Sequence, residues 1–352
     1  MASINDVAEK AGVSISTVSR VLNNHPNVSE EKKEAVKNAV AELDYIPNAL
    51  ARGLVTQNTY SIGVLISDIA NDFYSILVRS MEDVLNSRGY FTVIGNTDWE
   101  KGKEKKYIKY FRQKQVDGLI LASTTLEKSE IREFSRELPV VILDRDIDNE
   151  NIDRIRIDDC KGGYLAASHL LAAGYKKLVH IKGPRGIASA EDREAGFLQA
   201  VKEEAVSDKR YQIIAGHYTE KAGYDAVKNY LRKKPEVGKG EGSIGFFAAN
   251  DAMALGVLKY LNQNNISCPE AIGVAGFDDV GLAAYTNPPL TSVRRPICEI
   301  GKLAAKMLLE HLESEGDNED YFNRDVQLDV RLIKRESTAL GSSCKTAVNS
   351  EG

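Results

Sequence analysis

The run Ile4–Asn23, INDVAEKAGVSISTVSRVLN, decides how the amino-terminal end of the chain folds. Val7, Ala8 and Ala11 fall on one face at helical spacing. Gly12 then ends the helix, because glycine tolerates a positive φ. Val13 is expected as a buried pin, and Ser14 as the N-cap of a second helix. That helix, Ile15 to Asn23, buries Val18, Val21 and Leu22 and leaves Ile15, Ser16, Ser19 and Arg20 outward. A third helix is predicted from Ser29, its cap, to Asp44, with Glu30 and Glu31 in the first turn where the helix dipole favours acid. Two short helices about a glycine turn form a helix-turn-helix pattern, in which the start of the second helix faces the major groove. Its small hydroxyls can reach phosphates or base edges, and Arg20 can pair with guanine O6 and N7. An ordinary three-helix bundle that happens to carry these surface residues fits the same pattern.

Beyond this head, 352 residues suggest two or three domains. No apolar run approaches the roughly 20 residues of a membrane helix. The start Met1–Asp6 lacks the basic and apolar stretches of a signal peptide, so a cytoplasmic location is expected. Cys160, Cys268, Cys298 and Cys344 have no paired spacing, which suggests neither a disulfide framework nor a zinc site. His25, His169, His180, His217 and His311 are dispersed, Gly162-Gly163 resembles a phosphate loop only weakly, and Ser189 has no nucleophile-elbow setting. Nothing here calls for an enzyme, a cofactor or a metal. The net charge is −5, and residues 1–60 hold six Lys/Arg against seven Asp/Glu. Any contact with DNA must therefore come from a local face and not from a bulk field.

After the short polar stretch Val55–Thr59 the pattern alternates between strand and helix. Strands are predicted at Ser61–Ser67, Tyr90–Gly95, Asp117–Ala122, Val140–Leu143, Leu178–Lys182, Tyr211–Ala215, Ile244–Ala248, Ile272–Ala275 and Val326–Ile333. Helices are predicted at Phe73–Ser87, Glu104–Gln113, Gly163–Leu171, Glu191–Glu204, Ala222–Leu231, Ala252–Leu261 and Ile297–Leu312. Continuous apolar runs between helices indicate parallel sheets covered on both faces. The fold class is α/β: a small all-α head joined to a core of two doubly wound lobes with a cleft between them.

Ligands of such sheets sit just beyond the carboxyl ends of the strands. Asp144-Arg145, Asn250-Asp251 and Asp278-Asp279 stand there, Arg193 opens the helix after the loop Gly183–Ala190, and Phe73-Tyr74 begin the first core helix. Carboxylates and amides exchange hydrogen bonds with hydroxyls, arginine bridges vicinal oxygens, and aromatics stack on the apolar face of a sugar. Each residue has a plainer reading. Asn250 or Asp251 can serve only as a helix cap, Asp144 and Arg145 as a local ion pair, and Asp278 as a cap for the turn before Val280.

The run Ile4–Asn23, continued by Val28-Ser29-Glu30-Glu31 and by Leu43–Leu54 (LDYIPNALARGL), closely resembles the DNA-binding head of the lactose/galactose repressor family. The resemblance extends to about Leu340. It implies a helix-turn-helix head over residues 1–46, a hinge helix and linker over 47–59, and a two-lobed, periplasmic-binding-protein-like core over 60–340. The chain is expected to cross between lobes more than once, with about 60–160 and 291–320 in one lobe and about 161–290 and 321–340 in the other. The tail 341–352 is expected to be disordered. By the resemblance, Ile15, Ser16 and Arg20 read bases, while Ser14, Thr17, Asn23 and Tyr45 contact or position on phosphates. Asn48 to Leu54 is the hinge helix ordered on the operator, and Leu54 wedges into the minor groove alongside Ala51.

The resemblance also assigns Asp144, Arg193, Asn250 and Asp278 to the effector, lines the pocket with Ser189 and Tyr218, and makes Phe73 the stacking aromatic beside Tyr74. Leu143-Asp144-Arg145 with Ala190-Glu191-Asp192-Arg193 look most like ribose repressors. Purine-responsive members carry tryptophan where Arg145 stands and arginine where Ile187 stands, so a pentose such as ribose is expected. The partners implied are palindromic operator DNA and a second copy of the chain. Ser80-Met81 and the helix after Asp278 are candidate dimer contacts. Two rivals remain: a carbon-catabolite regulator controlled by a phosphocarrier protein, and a secreted sugar-binding protein, against which the head and the missing signal peptide argue.

Overall fold

The computed structural model describes residues 2–22, 25–45, 58–145, 147, 152–233, 243–314 and 323–340. The chain separates into two compact units, Met1–Tyr60 and Ser61–Gly352. Asn23, Asn48, Ala51 and Leu54, the hinge helix and the tail 341–352 lie outside the described residues.

In the first unit α1 spans Ile4–Ala11, α2 Ile15–Leu22 and α3 Glu30–Glu42. A reciprocal capping box starts α1: the Asp6 N–H donates to Ser3 Oγ, and the Ser3 N–H donates to the Asp6 carboxylate at 2.7 Å. Gly12 ends the helix at φ +64°, a conformation that costs glycine no Cβ clash. Ser14 caps α2, accepting the Thr17 N–H at 3.2 Å. Ser29 takes the N-cap position of α3, but its hydroxyl makes no capping bond there. Val7, Ala8, Val18, Val21, Val36 and Ala39 form the buried core, and Val13, Leu22 and Tyr45 pack partly buried against it. Val13 is thus a half-covered neighbour and not the buried pin expected of it.

The second unit holds, among the described residues, two six-stranded sheets. The elements run β1 (Ser61–Ile66), α4 (Asp72–Ser87), β2 (Phe91–Asn96), α5 (Lys101–Lys114), β3 (Gly118–Leu121), α6 (Lys128–Phe134), β4 (Val140–Leu143) and β5 (Ile152–Ile157). Then come α7 (Asp159–Ala172), β6 (Lys177–Lys182), α8 (Ala188–Glu203), β7 (Tyr211–Ala215), α9 (Glu220–Arg232), β8 (Ile244–Ala248), α10 (Asp251–Gln263) and β9 (Ile272–Asp278). The chain closes with β10 (Thr291–Arg294), α11 (Ile297–Ser314), β11 (Asp325–Leu328) and β12 (Arg331–Ile333). The first sheet is ordered β11-β5-β4-β3-β1-β2 and is parallel throughout. The second is ordered β12-β10-β9-β8-β6-β7 and is parallel except for its edge strand β12.

The apolar runs became strands as expected, because a parallel strand buried on both faces needs an apolar side chain at nearly every position. The elements without that pattern were not foreseen. Strand β5 reads IDRIRI, and its arginines face a charge partner: Arg156 and Arg154 pair with Asp325 at 2.7 and 3.2 Å. Helix α6 and strand β10 are short, and β10 carries the polar sequence TSVR.

The single strand expected at Val326–Ile333 is two strands on different sheets. Residues 291–294 therefore lie in the second lobe and 325–328 in the first, the reverse of the expected assignment, while α11 packs on α4 in the first lobe. The chain passes between the sheets after β5, after β10 and after β11. Direction of the backbone makes these crossings, and composition does not mark it. Ser80 and Met81, expected at a dimer contact, are instead buried under α11, where Gly301 meets Ser80. The stretch after Asp278 is a 3-10 turn, Gly281–Tyr285, with Leu282 and Tyr285 exposed.

Helices α7 and α8 touch backbone to backbone. A Cβ on Gly196 would stand 1.8 Å from the Cys160 carbonyl oxygen, and one on Gly163 would stand 2.1 Å from that of Arg193. Gly196→Ala should force the helices apart and lower core stability by about 1–3 kcal/mol in thermal or urea melts. Gly102 sits in α5 with nothing within 4 Å of its missing Cβ. Gly102→Ala should therefore raise stability by up to about 1 kcal/mol, through reduced backbone entropy of the unfolded chain.

Candidate functional site

Between the carboxyl ends of the two sheets lies a cavity of about 330 Å³, within the range of roughly 300–1,000 Å³ typical of small-molecule sites. Phe73, Tyr74, Trp99, Asp144 and Arg145 line it from the first lobe. Ser189, Arg193, Tyr218, Asn250, Asp278 and Arg295 line it from the second. All nine residues singled out in the sequence for the ligand thus reach one cavity. Trp99 and Arg295 are among the lining residues that were not expected.

Two guanidiniums organise this space. Arg193, 2% exposed, donates from Nε to Asp159 Oδ1 at 2.7 Å and from Nη1 to the Ala249 carbonyl. Its guanidinium carbon lies 3.7 Å from the centre of the Phe277 ring. Arg295, 5% exposed, donates from Nη2 to Asp144 Oδ2, holds Nη1 3.7 Å from Asp278 Oδ1, and lies 4.4 Å from the Phe73 ring centre. Burial pushes the carboxyls of Asp159 and Asp278 up to about 6, against the pull of these arginines. Asp251 lies deeper, where burial raises its carboxyl well above the carboxylate range while Ser292 Oγ and the Val280 N–H donate to it at 2.6 and 2.9 Å. Burial pushes the Tyr218 phenol up to about 12, and its hydroxyl lies 3.4 Å from Ser189 Oγ.

Asn250 does cap α10, accepting the Met253 N–H at 3.0 Å, yet it also lines the cavity. The turn before Val280 is held by Asp251 and not by Asp278. Asp144 and Arg145 are no local pair: Asp144 meets Arg295, and Arg145 donates to the Thr124 carbonyl at 3.1 Å. Phe73, expected to stack on a sugar, has the Arg295 guanidinium over its ring. One signal in the sequence could have found a missed residue, since Trp99 is the one tryptophan; Arg295 follows the stretch TSVR, whose polar composition carried no strand pattern. Asp159 was hidden, because its partner Arg193 is 34 positions away.

In the head, Ser14, Ile15, Ser16 and Arg20 are exposed and Thr17 is half-buried. Ile15 is 49% exposed, a large apolar side chain turned to solvent at the start of α2. Ser14 Oγ lies 2.8 Å from Ser16 Oγ and 2.9 Å from Thr17 Oγ1, so the three hydroxyls form one polar cluster. Tyr45 packs on the head's core.

Residues 3–48 match the family described as bacterial regulatory proteins, lacI family, and residues 167–338 match the periplasmic binding protein-like domain. The chain is 35% identical to the ribose operon repressor of Halalkalibacterium halodurans, over 99% of this chain and 100% of that protein. The chain belongs to the lacI family of bacterial regulatory proteins. Among solved structures of the family, the lac repressor dimer bound to operator and the anti-inducer ONPF matches with a TM-score of 0.80 at 26% identity, covering 96% of this chain and 99% of that one. A LacI family transcriptional regulator from Enterococcus faecium with bound ribose matches with a TM-score of 0.70 at 29% identity, over 79% of this chain and 98% of that one. Among the described residues no helix is long and apolar enough to cross a membrane, and no His/Cys/Asp/Glu group is arranged to hold a metal ion.

The raised carboxyls make a pH prediction for this lacI-family core. A folded-state pKa near 6 against 3.8 for a free side chain means that the folded protein holds these protons more tightly than the unfolded chain. The charged forms therefore cost stability above about pH 6, and that cost fades as the pH falls toward 4. Asp278→Asn should flatten the rise in core melting temperature between pH 7.5 and 5. An identical slope in wild type and variant would contradict the environment described for Asp278.

Proposed function

We propose that this chain is a DNA-binding transcriptional repressor, acting in the cytoplasm as a homodimer, whose operator affinity is set by a small neutral sugar, ribose first, held between the two core lobes. The observation that carries the reading is the convergence of Asp144, Arg193, Asn250 and Asp278 from both lobes on one cavity, with aromatic side chains on its walls. Carboxylate acceptors, guanidinium and amide donors and ring faces are the groups that a polyol needs. The ribose operon repressor and the ribose-bound regulator among its relatives support the choice of sugar.

Ile15, Ser16 and Arg20 are exposed, and we assign them to base contacts; Ser14, Thr17, Asn23 and Tyr45 we assign to the phosphates. Asn48, Ala51 and Leu54 are assigned to the hinge contact with the operator. We read the cleft as a binding site and not a catalytic one, so the bound sugar should be recovered unchanged. A ligand shifts operator affinity only through a difference in its affinity for two lobe arrangements. Relief of repression is the sign we assign.

A thermal-shift panel of pentoses, hexoses, their phosphates and purines tests the ligand. D-ribose at 100 times its dissociation constant should add about 2.7 kcal/mol of stability, a shift of a few degrees, and Arg193→Ala should abolish it. A shift with purines alone would refute the sugar assignment, and binding of a phosphocarrier protein with no response to any sugar would favour the catabolite-control reading. Arg20→Ala should weaken operator binding by about 1–3 kcal/mol and relax its base preference, as read by fluorescence anisotropy on wild-type and substituted operators. Leu54→Ser should weaken operator binding and leave core melting unchanged. Unaltered affinity in both variants would overturn the assignment of the head.

A further inference from the structure

Arg295 is the one cleft-lining residue whose side chain joins charged groups of both lobes in the described structure. It follows β10 of the second sheet, and its Nη2 donates to Asp144, which follows β4 of the first. On its own lobe its Nη1 stands 3.7 Å from Asp278 Oδ1, and its backbone N–H donates to the Asp278 carbonyl at 3.3 Å. Its guanidinium also covers Phe73 of the first lobe at 4.4 Å. Asp144, Asp278 and Phe73 are three of the groups assigned above to the sugar, so an arginine of the chain holds part of the ligand's own set of partners. A buried, well-paired guanidinium of this kind is expensive to strip of one partner, because the remaining charge is left without water. Its Nε is buried with no acceptor, a donor pointing at an unfilled need.

We propose that Arg295 is an interlobe clasp, a positioning residue that draws the two lobes together in the absence of effector and holds Asp144 and Asp278 in place across the cleft. Closure is then intrinsic to the chain, and an entering polyol works by sharing these carboxylates with the guanidinium and offering an oxygen to its free Nε–H. The clasp itself stands on the contacts of Arg295 with Asp144, Asp278 and Phe73; its effect on sugar binding rests on the functional reading above.

The single tryptophan supplies the readout. Trp99 stands on the first lobe between β2 and α5, with its ring 4.7 Å from His217 and 6.3 Å from Tyr218 of the second. Opening the lobes would bring water to this indole and move its emission to longer wavelength. In the full-length protein without effector, Arg295→Met and Asp144→Asn should each produce that red shift. The double variant should shift no further than either single one, because both cut the same link. Arg295→Lys, which keeps the charge but not the planar fork, should shift less than Arg295→Met. Unchanged emission in folded Arg295→Met and Asp144→Asn proteins, or additive shifts in the double variant, would overturn the clasp. If Arg295→Met does not fold, Asp144→Asn alone carries the emission test.

D-ribose titration of the same proteins separates the two ideas. Arg295→Met should bind D-ribose at least tenfold more weakly than wild type, with part of the loss recovered in Arg295→Lys. Wild type that answers to no sugar refutes the sugar reading and leaves the clasp to be judged by the emission of the unliganded variants.

Discussion

Two positive charges that cannot be given up, Arg193 and Arg295, are buried in the wall of the cleft, and the rest of the cleft is arranged around the need to neutralise them. A guanidinium keeps its proton at any ordinary pH, so burial cannot be relieved by titration and must be met by acceptors. Arg193 meets Asp159 and a main-chain carbonyl, and Arg295 meets Asp144 with Asp278 nearby. Each also lies on the face of a phenylalanine, whose ring quadrupole favours a cation. The carboxylates respond in turn: burial raises Asp159 and Asp278 to about 6 even beside their arginines. The result is a polar set whose members hold one another in fixed positions, which is what a site for a hydroxyl-rich molecule requires.

The scaffold puts this set where it is needed through the direction of its strands. Apart from the edge strand β12, the strands of both sheets run parallel, so their carboxyl ends share one edge, and the two edges face each other across the cavity. The backbone bends sharply at those ends. Asp144 and Asp278 adopt φ of +54° and +108°, conformations that a residue with a Cβ rarely takes. Strain of this kind persists only where the surroundings impose it, and the residues that take it include the two carboxylates that meet Arg295. Glycine would take these angles at lower cost, but it would bring no carboxylate.

How far the cleft was legible depended on what each residue needed from its neighbours. Asp144, Asn250 and Asp278 were found because each ends an apolar run, and the end of a parallel strand is a place defined by the sequence itself. Arg193 was expected to open a helix after a loop, although α8 starts at Ala188 and places it in the second turn. Asp159, Trp99 and Arg295 carry no such mark. Asp159 matters because Arg193 lies against it from 34 positions away, and Arg295 because Asp144 does from 151. Phe73 was placed correctly in the cavity, but what covers its ring is another side chain of the same protein.

The amino-acid order alone determined the elements whose formation is local. Helical spacing of Val7, Ala8, Val18 and Val21 around Gly12 made the head, and unbroken apolar runs made the central strands, because period and burial are written residue by residue. The tertiary structure decided the crossings between lobes, the split of the carboxyl-terminal strand between two sheets, and the meeting of Arg295 with Asp144. These are long-range contacts, set by which surfaces must be covered and which charges must be paired once the chain is compact. No stretch of sequence contains them, because each is a relation between segments far apart along the chain.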